Sequence, residues 1–127
     1  MEVSPSESRS TKSSKLEPLP LVRVFLLTFL RSHPESSGYD LIQLIAEFTG
    51  GLLELKTGTI YPELRKLEST GLVSSNSSGQ GRKRRTYVLT SQGEEELEIL
   101  TTQVEERINL VLKPLLQYYN QTKFHEM

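Results

Sequence analysis

The apolar positions fall into four stretches with helical spacing and one pair of alternating runs. Leu21 to Ser32 is apolar around most of its circumference, the pattern of a buried helix. In YDLIQLIAEFTGG, Leu41, Ile42, Leu44, Ile45 and Phe48 recur at steps of one, two and three along one helix, and Gly50 and Gly51 are stop signals. The short LLEL, Leu52 to Leu55, is ambiguous and allows one extended rung. In TGTIYPELRKLESTGL, Ile60, Leu64 and Leu67 lie within about 40° of one another on a helical wheel. Thr57 or Thr59 is expected to cap this third helix, Pro62 to sit in its first turn, and Gly71 to end it. LVSSNSSGQGRKRRTYVLT reads as strand, turn, strand. Ser91 then opens a long helix, with Glu94 three residues on forming a capping box. Its stripe of Leu97, Leu100, Val104, Ile108, Val111, Leu115 and Tyr118 runs to about Tyr119, with a kink expected at Pro114.

The order helix, helix, helix, hairpin, long helix predicts a mainly α fold with a small β-hairpin. It is the outline of a winged helix-turn-helix with a long C-terminal helix. Residues 1–17, with six serines and almost no bulky apolar groups, read as a disordered tail. The expected organisation is therefore a tail at 1–17, a winged helix at 18–90, a dimerisation helix at 91–121 and a frayed terminus at 122–127. The long stripe has two readings, pairing with a second chain or packing on the first helix.

Composition narrows the function classes. Cysteine is absent, which removes a disulfide framework, a thiolate nucleophile and Cys-based metal sites. The N-terminus has no apolar h-region, and the longest apolar run, LVRVFLLTFL, is half of what a bilayer span needs. A cytoplasmic location is expected. His33 and His125 have no acid partner at useful spacing, and no phosphate loop or metal motif occurs, so neither an enzyme nor a cofactor is expected.

The formal net charge of -1 hides a division along the chain. Residues 1–93 carry a net +3 and residues 94–127 a net -4. Arg82, Lys83, Arg84 and Arg85 stand together at the start of the second hairpin strand. Alternation along a strand sends Arg82 and Arg84 to one side, Lys83 and Arg85 to the other. The third helix has its own exposed arc opposite the apolar stripe: Gly58, Pro62, Arg65 and Ser69, with Thr59 and Lys66 at its edges. Small residues at the helix start admit a phosphate to free N–H groups and the positive end of the dipole. Tyr61 lies on the flank, where its hydroxyl would donate to a phosphate or its ring would pack on the hairpin. Arg65 is either a DNA contact or the surface partner of Glu68. A cationic wing beside a cationic helix arc points to double-stranded DNA.

These residues resemble the PadR family of transcriptional regulators over about Leu21 to Glu98. The resemblance rests on SGYDLIQLI, TGTIYPELRKLESTGLV and GRKRRTYVLTSQG. Gly38 and Tyr39 match the start of the family's second helix. Gly58, Thr59, Ile60, Tyr61 and Pro62 match the opening of its recognition helix, and Gly81, Arg82, Arg84, Arg85, Tyr87, Leu89 and Thr90 match its wing. Lys83 stands where a proline is common, and a single helix after the wing matches the family's short form. The resemblance implies a homodimer, closed by the final helix, that binds a pseudo-palindromic operator, usually as a repressor. Tyr39 is a weaker candidate contact. Some members release DNA on binding a small molecule, so an effector of unknown chemistry stays open as a partner. The alternative is a winged-helix adaptor that binds proteins and no DNA.

Overall fold

The structure, a computed structural model, describes residues 16–77 and 84–125. The tail expected at 1–17 lies, up to residue 15, outside the described residues. The chain divides into two compact units. One is Pro20–Ile99; residues 16–19 and 100–125 belong to the other.

In the first unit, helix α1 spans Leu21–Ser32 and buries Leu26, Leu27 and Leu30. Strand β1 is Ser36–Ser37, and α2 follows directly as Gly38–Phe48, burying Leu41 and Ile45. Helix α3, Thr57–Ser69, buries Ile60, Leu64 and Leu67. Strands β2, Val73–Ser77, and β3, Arg85–Leu89, pair antiparallel with Ser75 opposite Tyr87. The side chains that close the core from three helices are fully buried aliphatics, joined by Val73 and Tyr87 from the ribbon. Burial of such a cluster, at about 1.5–3 kcal/mol per side chain, is what holds three short helices together. Gly71 ends α3 at φ 84°, which a side chain would resist, and lets Leu72 N–H reach back to Leu67 O at 2.9 Å. This is a winged helix-turn-helix: three helices, a ribbon and a further helix.

Four local expectations change. The third strand of the sheet is β1, in the order β1-β3-β2, and LLEL forms no strand. Ser36 and Ser37 pair with Tyr87 and Thr86, and Glu35 N–H also donates to Tyr87 O at 2.9 Å. Two serines carry no β signature; backbone pairing and hydroxyl bonds make the strand, with Ser36 Oγ donating to His33 O at 2.8 Å. Pro62 stands inside α3 rather than in its first turn, because the helix begins at Thr57 after a Lys56 N-cap without a side-chain cap bond. The cap of the following helix, α4 at Ser91–Glu106, is Thr90 rather than Ser91. Thr90 Oγ accepts from Gly93 N–H at 3.0 Å and donates to Gly71 O at 2.6 Å, while Glu94 turns to Arg31 at 3.2 Å.

The fourth change lies in the second unit. After α4 the backbone widens into a π turn, Arg107–Leu112, before α5, Lys113–His125, which extends past Tyr119. Lys113 N–H bonds Ile108 O, five residues back. A proline ring in an α-helix collides with the carbonyl four residues earlier, and a π turn directly before Pro114 relieves that contact. In this unit Arg107 also donates to the carbonyl of Glu17.

Candidate nucleic-acid interface

Helix α3 presents to solvent the arc read from its sequence. Gly58, Thr59, Pro62, Arg65 and Lys66 are exposed, while Ile60, Leu64 and Leu67 face inward. A Cβ built at Gly58 would meet nothing within 4 Å, and its φ is not left-handed. The fold itself therefore has no need of glycine at Gly58, where an alanine would favour the helix. Among the described residues, no ion pair involves Arg65 or Lys66. Glu68 does not pair with Arg65; its carboxylate accepts from Ser75 Oγ at 2.6 Å.

Tyr61 is half-buried against the start of α2. A Cβ at Gly38 would come within 2.5 Å of its ring, so glycine there lets the third helix lie close to the second. Tyr39, the next residue, is exposed. The helix start itself is a capping box. Ser37 Oγ accepts from Asp40 N–H, and Asp40 Oδ2 accepts from Ser37 N–H, both at 3.0 Å.

Two of the four wing cations, Arg82 and Lys83, lie outside the described residues. The other two diverge, Arg84 to the start of α2 and Arg85 across the ribbon to β2. Arg84 donates to Ser37 Oγ at 2.8 Å and to Asp40 Oδ1 at 3.1 Å, both at the start of α2. Arg85 donates to Ser75 Oγ at 2.9 Å on β2, and Ser75 in turn donates to Glu68 on α3. Both arginines remain exposed. Arg84 thus has two anchoring bonds and Arg85 one, and both keep donors to spare, since a guanidinium carries five N–H groups.

The electrostatics follow from these contacts. Asp40 titrates below the usual carboxylate range, chiefly because Ser37 N–H donates to it; partial burial opposes this, and the Ser37 hydroxyl and Arg84 add to it. Burial pushes the Tyr87 hydroxyl up, with Arg85 opposing. Tyr61, Arg65, Glu68, Arg85 and Tyr87 line one open pocket of about 410 Å³ between α3 and the ribbon. Two arginines and one carboxylate leave it cationic.

Ser37, Asp40, Glu68 and Ser75 were not among the residues read from the sequence as functional. The first pair had a signal, since Ser-x-x-Asp before an apolar run is a capping-box spacing. The second pair had none, because Glu68 and Ser75 meet only through the fold.

The expected dimer stripe divides by exposure. Leu97 and Leu100 are buried within the single chain, at 6% and 4% exposed, which leaves them little surface for a second chain. Val104 and Val111 are half-buried. Ile108, Leu115 and Tyr118 are exposed, and so are Leu110, Leu112, Leu116 and Tyr119. The π turn places about one extra residue in the helix. It turns Leu115 and Tyr118 about 100° from the line that counting in threes and fours gives, and brings Leu112, Leu116 and Tyr119 into line with Val104. Among the described residues, no helix is long and apolar enough to cross a membrane.

Residues 26–99 match the model of the transcriptional regulator PadR-like family. The negative transcriptional regulator PadR of Bacillus subtilis (strain 168) is 38% identical over 65 residues, 50% of this chain and 36% of that protein. The chain therefore spans about a third of the length of this curated relative. A crystal structure of Bacillus subtilis PadR in complex with operator DNA is similar with a TM-score of 0.57 and 33% identity, over 65% of this chain and 46% of that one. A transcriptional regulator from Clostridium thermocellum, Cth-833, shares the fold with a TM-score of 0.68 at 24% identity, over 72% of this chain and 90% of that one.

Proposed function

Since the chain belongs to the transcriptional regulator PadR-like family, we propose that it is a sequence-specific regulator that binds double-stranded DNA as a homodimer, in the role of a repressor. One observation carries the reading. The outward arc of α3 has small residues at its tip and, further along, Arg65 and Lys66 with no ion pair among the described residues, and Arg84 and Arg85 stand at the ribbon next to it. The related Bacillus subtilis protein was crystallised with operator DNA, and the matched fold supports the same partner here.

In this reading α3 enters the major groove, with Gly58 and Thr59 at the backbone and Arg65 and Lys66 within reach of a groove edge or a phosphate. The wing cations Arg82, Lys83, Arg84 and Arg85 hold phosphates, which adds affinity and little sequence choice. Tyr39 lies at the margin of the same face. Residues 18–90 form the DNA-binding part and the helix from residue 91 the dimerisation part. The exposed apolar side chains from Ile108 to Tyr119 close on a second chain. Pairing then sets two copies of α3 about 34 Å apart, one turn of duplex, on a pseudo-palindromic site.

Salt dependence tests the reading. Each phosphate neutralised contributes about 0.9 to the slope of log affinity against log salt. The triple variant Arg82→Ala, Arg84→Ala, Arg85→Ala should show a flatter slope than the parent. An equal slope removes the wing from the interface. Absence of any salt-sensitive duplex binding by the parent leaves the protein-adaptor reading in its place.

A further inference from the structure

The pocket between α3 and the ribbon suggests a more specific role than a general basic surface. Its two cations come from different elements, Arg65 from the third turn of α3 and Arg85 from the first residue of β3, yet they line the same cavity. Arg65 has no ion-pair partner among the described residues. Arg85 is aimed from behind. One guanidinium N–H is bound at 2.9 Å by Ser75 Oγ, whose own proton goes to Glu68 at 2.6 Å. This chain crosses from β3 through β2 to α3, so the wing arginine is set in position from the helix it flanks. Glu68 satisfies Ser75 and fixes the aim, while the two arginines leave the cavity net positive. Tyr61, packed over Gly38, lines the same wall.

We propose that this pocket seats a single phosphodiester of the DNA backbone, gripped by Arg65 from the recognition helix and Arg85 from the wing, with Ser75 and Glu68 as positioning residues for Arg85. The proposal rests on the DNA-binding reading above and deepens it. One phosphate held from two elements fixes the angle between α3 and the duplex, because neither the helix nor the ribbon can move along the backbone alone. Charge-assisted bonds to a phosphate are short and directional, and a guanidinium with one N–H spent on Ser75 keeps four for the anion.

The test is the salt slope of binding to a labelled mixed-sequence duplex, using Arg65→Ala, Arg85→Ala and the double variant. A shared phosphate keeps one cation in each single variant. Affinity then falls in both singles with little change in slope, and the slope falls by about 0.9 only in the double. A double variant that loses about 1.8, with about 0.9 from each single, means two separate phosphates and overturns the proposal. Unchanged slopes in all three overturn it as well. Should alanine loosen the ribbon, judged by circular dichroism, Arg65→Gln and Arg85→Gln keep the side-chain length and are read in the same way. Ser75→Ala should weaken the parent several-fold and have no further effect in the Arg85→Ala background; an equal effect in both denies Ser75 its positioning role. A parent protein that shows no salt-sensitive binding brings down the DNA-binding reading and this one with it. Binding with additive losses brings down this one alone.

Discussion

Replacing Gly58 with alanine sets the needs of the fold against those of the interface. Within the chain the added methyl meets nothing within 4 Å, and the backbone there suits any residue. Alanine in a helix is favoured over glycine by about 0.8–1.0 kcal/mol in the interior, and Gly58 is the second residue of α3, so about 0.5–1 kcal/mol is the expected gain. For a domain of this size that is a rise in Tm of about 2–8 °C. If the tip of α3 lies against a phosphate backbone, the same methyl must be accommodated there, and overpacking of a close contact costs about 1–3 kcal/mol. Affinity for duplex should fall about 5- to 150-fold. Urea unfolding followed by circular dichroism measures the first effect, and fluorescence anisotropy with a labelled duplex the second. A variant that is more stable and binds DNA like the parent refutes the close approach of Gly58. A variant that is less stable refutes the view that the glycine serves nothing inside the fold. Gly38→Ala is the contrasting control: its Cβ would press on the Tyr61 ring at 2.5 Å, so stability should drop.

Three further outcomes are expected. Gly93→Ala would set a Cβ 2.1 Å from the Leu72 carbonyl, a backbone atom with no freedom to yield, and should cost at least about 1–3 kcal/mol, read as a lower urea midpoint. Asp40 titrates low in the folded chain, so its contribution to stability is present above its unfolded value of about 4 and is lost as pH falls through the folded one. Asp40→Asn, which does not titrate, should therefore lose less stability than the parent between about pH 5 and pH 2; equal acid titrations would deny Asp40 that role. In sedimentation equilibrium at micromolar concentration the parent should have the mass of two chains, and Leu112→Lys with Leu116→Lys that of one. A two-chain mass for the double variant places the interface elsewhere.

The helices of the first unit were legible because their apolar periodicity coincides with their burial. Leu41, Ile45, Ile60, Leu64 and Leu67 needed no tertiary knowledge to be placed inward, whereas Phe48, which shares the spacing of Leu41 and Ile45, ends α2 exposed. Strand β1 was not legible, since two serines become a strand only when Tyr87 and Thr86 arrive to pair with them. Nor was the choice of Thr90 over Ser91 as cap, which depends on Gly71 lying within reach of the same hydroxyl. A count of threes and fours could not show the π turn, because the surplus residue is a response of the backbone to Pro114. On the site, the exposed arc of α3 was legible from the wheel. That Arg84 would be held at the start of α2 and Arg85 by Ser75 on β2 was not, because Asp40 is 44 residues from Arg84 and the Ser75 hydroxyl is aimed by Glu68, which the fold alone brings near.

Thr90 joins three pieces of chain at one point: the turn after α3, the end of β3 and the start of α4. Its N–H binds the Leu72 carbonyl, its hydroxyl donates to Gly71, and the same oxygen receives Gly93. A slip of the β2–β3 ribbon by one residue would move that N–H off Leu72 and pull the oxygen away from Gly93. The ribbon thus cannot change alignment without also fraying the first turn of α4. Amide exchange in the two places should then proceed as one event, with matched opening free energies and matched response to denaturant.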